Sequence, residues 1–147
     1  MDDCLFICTR DDKWIEEQIK MLKDVFKEVT VESGDELGLV GMQTSMNRVK
    51  KQVVITQPKH VKRIIKTFQV KKGAPTPALE QQMGDELDSA LLENQSDYMS
   101  KCAMLMFVLQ RTYPEIRPAV IKLSTKYNKA TMEDMKKAIR VAEYIYG

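Results

Sequence analysis

Between residues 37 and 79 the chain has no aspartate or glutamate. That stretch carries Arg48, Lys50, Lys51, Lys59, Lys62, Arg63, Lys66, Lys71 and Lys72. Residues 80–97 invert the balance, with Glu80, Asp85, Glu86, Asp88, Glu93 and Asp97 and no Lys or Arg. A block of one sign suits a polyanion partner, and it suits an ordinary solvated face equally. The remaining scarcities exclude more. His60 is the only histidine, so a His-based metal site or a Ser-His-Asp triad has little to draw on. Cys4, Cys8 and Cys102 are odd in number and show no CxxC spacing, which argues against a disulfide framework or a zinc site and fits a reducing compartment. No apolar run of membrane length and no signal peptide are visible, so a soluble intracellular protein without a membrane partner is expected. What is there, 147 residues that are 44% hydrophobic and 30% charged, suits one globular domain or part of a larger one.

Hydrophobic periodicity sets out the elements. Leu5, Phe6 and Ile7 predict a short buried strand, with Asp2 and Asp3 in the turn that feeds it. Adjacent carboxylates there can hold Mg²⁺ through oxygen ligands, or can simply be solvated. Asp11 and Asp12 are N-cap candidates for a helix over 13–29, in which Ile15, Ile19, Leu22, Phe26 and Val29 form an apolar stripe and mark a core element. Gly34, Gly38 and Gly41 then break the chain into turn and strand. The alternation at Val40, Met42 and Thr44, with the β-branched run 53–56, predicts a hairpin whose loop of about seven residues carries Arg48, Lys50 and Lys51.

Thr56 is the expected cap of a second helix, with Pro58 in its first turn. Its buried side is Val61, Ile64, Ile65 and Phe68, and Lys59, Lys62, Arg63 and Lys66 fall largely opposite. Such a helix suits a sugar-phosphate backbone, because Lys and Arg bind phosphate without reading bases. Gly73, Pro75 and Pro77 stop it, and 73–97 is expected as a linker or a wrapped segment. Three helices follow. Ser96 or Asp97 caps the first, whose apolar stretch 102–109 predicts a central position with Met104 and Met106 as core filler. The second spans 115–127 or begins near Pro118. Thr131 caps the last, with Met135, Ala138, Ile139, Ala142 and Ile145 on one side.

These parts occur in the order found in one known family. Asp2-Asp3-Cys4-Leu5-Phe6-Ile7 and the charged helix behind it resemble the Tyr-x-Asp-Asp turn, strand and helix of the reverse transcriptase of Ty1/copia-type retrotransposons. Val40-Gly41-Met42 is similar to that family's Leu-Gly-Ile strand. Ile55-Thr56-Gln57 and Ile64-Ile65-Lys66-Thr67-Phe68 resemble its Leu-Ser-Gln opening and Leu-Leu-x-x-Phe ending of a helix. Ala74-Pro75-Thr76-Pro77 resembles Ser-Thr-Pro; 98–109 looks like a Tyr-Arg-x-x-x-Gly-x-Leu-Met-Tyr-Leu helix, with Ala103 for the glycine and Phe107 for the second tyrosine; and Thr112-Tyr113-Pro114-Glu115-Ile116 is similar to Thr-Arg-Pro-Asp-Ile. Leu123-Ser124 and Ala138-x-Arg140-Val141 complete the series. Tyr113 stands where the family has Arg, and Met135 where it often has Trp.

The resemblance implies an α+β fold: a short strand and β-hairpin from a truncated polymerase palm, then a mainly helical thumb and connection. It divides the chain into a partial palm with a primer-holding hairpin (1–56), a basic thumb-like helix (57–72), a linker (73–97) and a helical region (98–147). It implies an RNA-directed DNA polymerase using two Mg²⁺ ions to transfer a deoxynucleotide from a dNTP to a primer 3′-hydroxyl, with Asp2 the principal ligand and Asp3 its weaker partner. Arg48, Lys50, Lys51, Lys59, Lys62, Arg63 and Lys66 would contact an RNA or DNA template-primer duplex. The family's fingers, upstream metal-binding aspartate and RNase H domain have no counterpart in these residues, so the expected partners include the rest of the polyprotein and the expected activity alone is little or none. A cytoplasmic location, or one inside a retrotransposon particle, goes with it. Two other readings stand beside it: a non-enzymatic nucleic-acid-binding remnant, and a helical interaction module whose apolar helix 102–109 meets a partner.

Overall fold

The computed structural model describes residues 12–79 and 89–147 and has an α+β architecture in two units, 1–56 and 57–147. The expected strand 5–7 and the Asp2–Asp3 turn lie outside the described residues.

The first unit holds helix α1 (Asp12–Val25) and strands β1 (Glu36–Leu39), β2 (Met42–Asn47) and β3 (Gln52–Thr56). The strands form an antiparallel meander in the order β1-β2-β3. Leu37, Leu39, Met42, Thr44, Met46, Val53 and Ile55 share one side of the pleat. Glu36, Gln43, Ser45, Asn47, Gln52 and Thr56 share the other with Val54, so one face is apolar and the other mainly polar. Three details differ from the sequence expectation. The strand before Gly41 is its own element, because Val40 and Gly41 both take positive φ (46° and 76°) and close a two-residue turn. The β2–β3 loop is four residues, 48–51, shortened by continued pairing through Asn47 and Gln52. Helix α1 stops at Val25 and is not a core element. Ile15, Ile19 and Leu22 are only half-buried, while Val25 is 76% and Phe26 57% exposed. The stripe has the right period but no described element covers it fully.

The second unit holds α2 (Pro58–Phe68), α3 (Gln95–Leu109), a 3-10 turn (Pro114–Ile116), α4 (Arg117–Ser124) and α5 (Met132–Tyr146). Here the core is real. On α3, Tyr98, Cys102, Met104, Leu105, Val108 and Leu109 are buried, and α2, α4 and α5 pack around them. From α5 come Ala138, Val141, Ala142 and Ile145; from α4 come Ala119, Val120 and Leu123. The cap of α3 is Asn94, whose side chain accepts from the Asp97 N–H at 2.9 Å, rather than Ser96 or Asp97; Asp97 instead pairs with Lys101 at 2.7 Å. Pro118 sits in the first turn of α4, where a missing N–H costs nothing, so the helix begins there and not at Glu115. Thr131 caps α5 in a capping box with Asp134, as its sequence predicts.

The described ends of the stretch expected as a linker are fastened to α5. The Ala74 N–H donates to Glu143 O (3.1 Å), and a Cβ on Gly73 would meet Gly147 Cα at 3.0 Å. On the other side Leu92 N–H donates to Ala130 O and Met132 N–H to Ala90 O. The Gln95 amide clamps the same place, donating to Leu92 O and Ala130 O and accepting from the Ala130 N–H. Among the described residues no helix is long and apolar enough to cross a membrane.

The contrast between the units is measurable. Leu105→Ala, at a fully buried position, should cost about 2–5 kcal/mol in denaturant unfolding. Phe26→Ala should stay within about 0.5 kcal/mol, as exposed substitutions usually do. A large loss at Phe26 would show that α1 is covered.

Candidate nucleic-acid interface

Helix α2 is set by its ends. Pro58 occupies the first helical position, and the N-cap is Gln57 rather than Thr56, because Thr56 still pairs in β3 opposite Gln43. Gln57 is 2% exposed, and its Oε1 accepts from the Thr112 hydroxyl at 2.8 Å, which ties the start of α2 to the end of α3. At the other end Gln69 adopts the left-handed conformation (φ 53°) and the Val70 N–H returns to Ile65 O at 3.0 Å, a Schellman closure with glutamine where glycine is usual.

Between these ends the helix has two distinct sides. Ile64 and Phe68 are buried and Val61 packs against the same core. Lys59, Lys62, Arg63 and Lys66, at i, i+3, i+4 and i+7, are all exposed. No described carboxylate pairs with any of the four. The stripe runs about 10 Å along the axis, roughly the rise of three phosphates on one strand of a duplex. Lys71 and Lys72 are also exposed, just past the Schellman turn.

His60 is not part of this stripe. Its Nε2–H donates to Met104 O at 3.0 Å, and its ring lies 4.5 Å from that of Phe107, which Arg111 covers at 4.1 Å. The imidazole is thus a packing group between α2 and α3. Arg111 and Phe107 are only four residues apart, but His60 joins them from a distant part of the chain, so the stack as a whole gives no signal in the sequence.

The hairpin residues form a separate basic group in the first unit. Arg48 Nε–H donates to Asp35 at 2.8 Å, so it is already engaged by a carboxylate. Lys50 and Lys51 are exposed at the loop tip. The Asn47 side chain accepts from the Lys50 N–H (2.9 Å), and Lys51 is left-handed (φ 52°). The expected catalytic and metal residues, Asp2 and Asp3, lie outside the described residues. Among the described residues no group of three or more His, Cys, Asp or Glu side chains is placed to hold a metal. Asp134, the one buried acid described, is taken up by its cap, accepting from both the N–H and the hydroxyl of Thr131.

No family model, curated protein or solved structure matches this chain.

The buried thiol of Cys102 is likewise structural. Burial pushes it from an ordinary 9.0 up to about 11, against a smaller lowering by the Tyr98 hydroxyl. Tyr98 is itself raised, mainly by burial, and donates to Leu123 O at 2.9 Å. A raised folded value means the unfolded thiol ionises first. The stability is therefore intact below pH 9 and falls as pH climbs to about 11, by roughly 2–3 kcal/mol from this group. Urea midpoints across that range should fall for the parent and fall less for Cys102→Ala, with the Tyr98 part remaining.

Proposed function

We propose that the chain is a thumb-and-connection segment of a copia-type reverse transcriptase and binds template-primer duplex through the outer side of α2. The observation that carries it is the stripe Lys59, Lys62, Arg63 and Lys66, exposed and without a described acidic partner, on a helix whose opposite side is locked into a core. Rigid support lets the stripe bind phosphates without ordering the helix first. Lys and Arg on phosphate give affinity with little sequence preference. Lys50 and Lys51 are proposed as further phosphate ligands from the hairpin tip, with Arg48 a weaker one because Asp35 competes for it. The residues of α3 that a helical interaction module would offer a partner, Cys102, Leu105, Val108 and Leu109, are buried within their own unit, which favours the nucleic-acid reading.

Asp2 and Asp3 are proposed as Mg²⁺ ligands on the resemblance alone. By the same resemblance, polymerase chemistry would also call on the family's upstream metal-binding aspartate. The RNA or DNA duplex, a dNTP and the remaining polyprotein are the partners that go with this reading.

Binding of a mixed-sequence duplex should weaken steeply with salt. Replacing Lys59, Lys62, Arg63 and Lys66 by Ala should flatten the slope of log K against log salt by about 3–4, at roughly 0.9 for each phosphate no longer neutralised. An unchanged slope would reject α2 as the binding helix. In a longer chain that includes the palm and fingers and extends a primer, Asp2→Asn should abolish extension and Asp3→Asn should reduce it. Equal extension by Asp2→Asn would reject the catalytic turn.

A further inference from the structure

The geometry points to β3 as a homodimer edge: two copies pair antiparallel about Val54, joining their meanders into one six-stranded sheet. Strand β3 is the last in the order β1-β2-β3, so one of its edges has no strand beside it among the described residues. Which residues address that edge follows from the register. The Met46 N–H donates to Asp35 O at 2.7 Å, so Met46 faces the β1 side, and its neighbours Ser45 and Asn47 face β3. Their partners Val54 and Gln52 face back. Val53 and Ile55 therefore direct their N–H and C=O groups outward.

This arrangement selects one self-pairing. With Val54 opposite its mate, Val53 of each copy lies opposite Ile55 of the other, outward groups meet outward groups, and all four are used. Pairing Val53 with Val53, or Ile55 with Ile55, would use fewer. The strand is also its own complement in character: Gln52 meets Thr56 and the three apolar residues meet one another. Val53, Val54 and Ile55 are 56%, 52% and 49% exposed, so pairing covers surface now open to water. Natural edges usually carry a charge, a proline or a bulge that blocks such pairing, and Gln52–Thr56 has no charge or proline and pairs in unbroken register. The Lys51 side chains of the two copies do not oppose one another. Lys51 of one copy would lie about 20 Å from Lys51 of the other, at 3.4 Å per residue, beyond the screening length at physiological salt. Because the two-fold axis stands perpendicular to the sheet, the apolar faces of both copies fall on the same side.

Sedimentation equilibrium on the full chain should show the average mass rising from 16.9 kDa toward twice that as concentration rises. Ile55→Pro removes only an outward N–H and spares the β2–β3 ladder; it should weaken dimerisation about tenfold or more, since by symmetry two interchain hydrogen bonds disappear. Val54→Lys, which keeps the backbone and sets two like charges opposite each other, should do the same. With Cys4 and Cys8 replaced by serine, Val54→Cys should cross-link readily, its Cα about 4.5 Å from its mate. Gln52→Cys, about 14 Å from its mate, should not. A monomer at every concentration would overturn the proposal. So would a dimer that both Ile55→Pro and Val54→Lys leave intact, or one that Gln52→Cys cross-links as fast as Val54→Cys.

Discussion

Covering α3 is the requirement on which the helical unit depends. From Cys102 to Leu109 the helix is apolar on nearly every side, so a single neighbour could not shield it, and α2, α4 and α5 are all needed. Two polar side chains make this burial tolerable at its entrance. Tyr98 gives its hydroxyl hydrogen to a carbonyl at the end of α4, and Gln95 uses both ends of its amide on the strap before α5. A hydroxyl or amide left bare there would cost about 1–3 kcal/mol, comparable to what one well-buried leucine contributes.

That same requirement explains how α2 can carry so much charge of one sign. Like charges three or four residues apart cost an isolated helix about 0.2–0.5 kcal/mol per pair, and Lys59, Lys62, Arg63 and Lys66 are spaced to meet in this way. No acid in the first turn offsets them. Burial of Ile64 and Phe68 against α3 and α5 outweighs the repulsion, and a row of phosphates would relieve it. The first unit has no comparable compensation: Thr44 is its one described residue that is buried, and its apolar side chains remain partly in water.

Periodicity alone found the sides of α2, the central place of α3, the Thr131 cap and the inward side of α5, because each depends on spacing within one segment. It failed where the deciding partner was distant or where turn chemistry was unusual. Valine and lysine are poor residues for positive φ, so the turn at Val40 and the loop end at Lys51 gave no signal, and β1 and the short β2–β3 loop went unread. Phe26 has a helical apolar spacing, yet whether a stripe is covered is a property of the whole fold. In the site, the residue types and spacing exposed the basic stripe, whereas the salt link of Arg48 to Asp35 and the stack of His60, Phe107 and Arg111 needed coordinates. The aspartate turn rests on sequence alone.

The packing of α2 against α5 has a consequence for synthesis. Phe68 leaves the ribosome about 80 residues before Tyr146, and at 5–20 residues per second that interval lasts roughly 4–16 s. Throughout it the segment lacks the cover that α5 gives Ile64 and Phe68, beside a row of cations. A nascent chain in that condition is a natural client for holding factors, and an anionic surface close to the exit tunnel would compete for it before the last helix arrives.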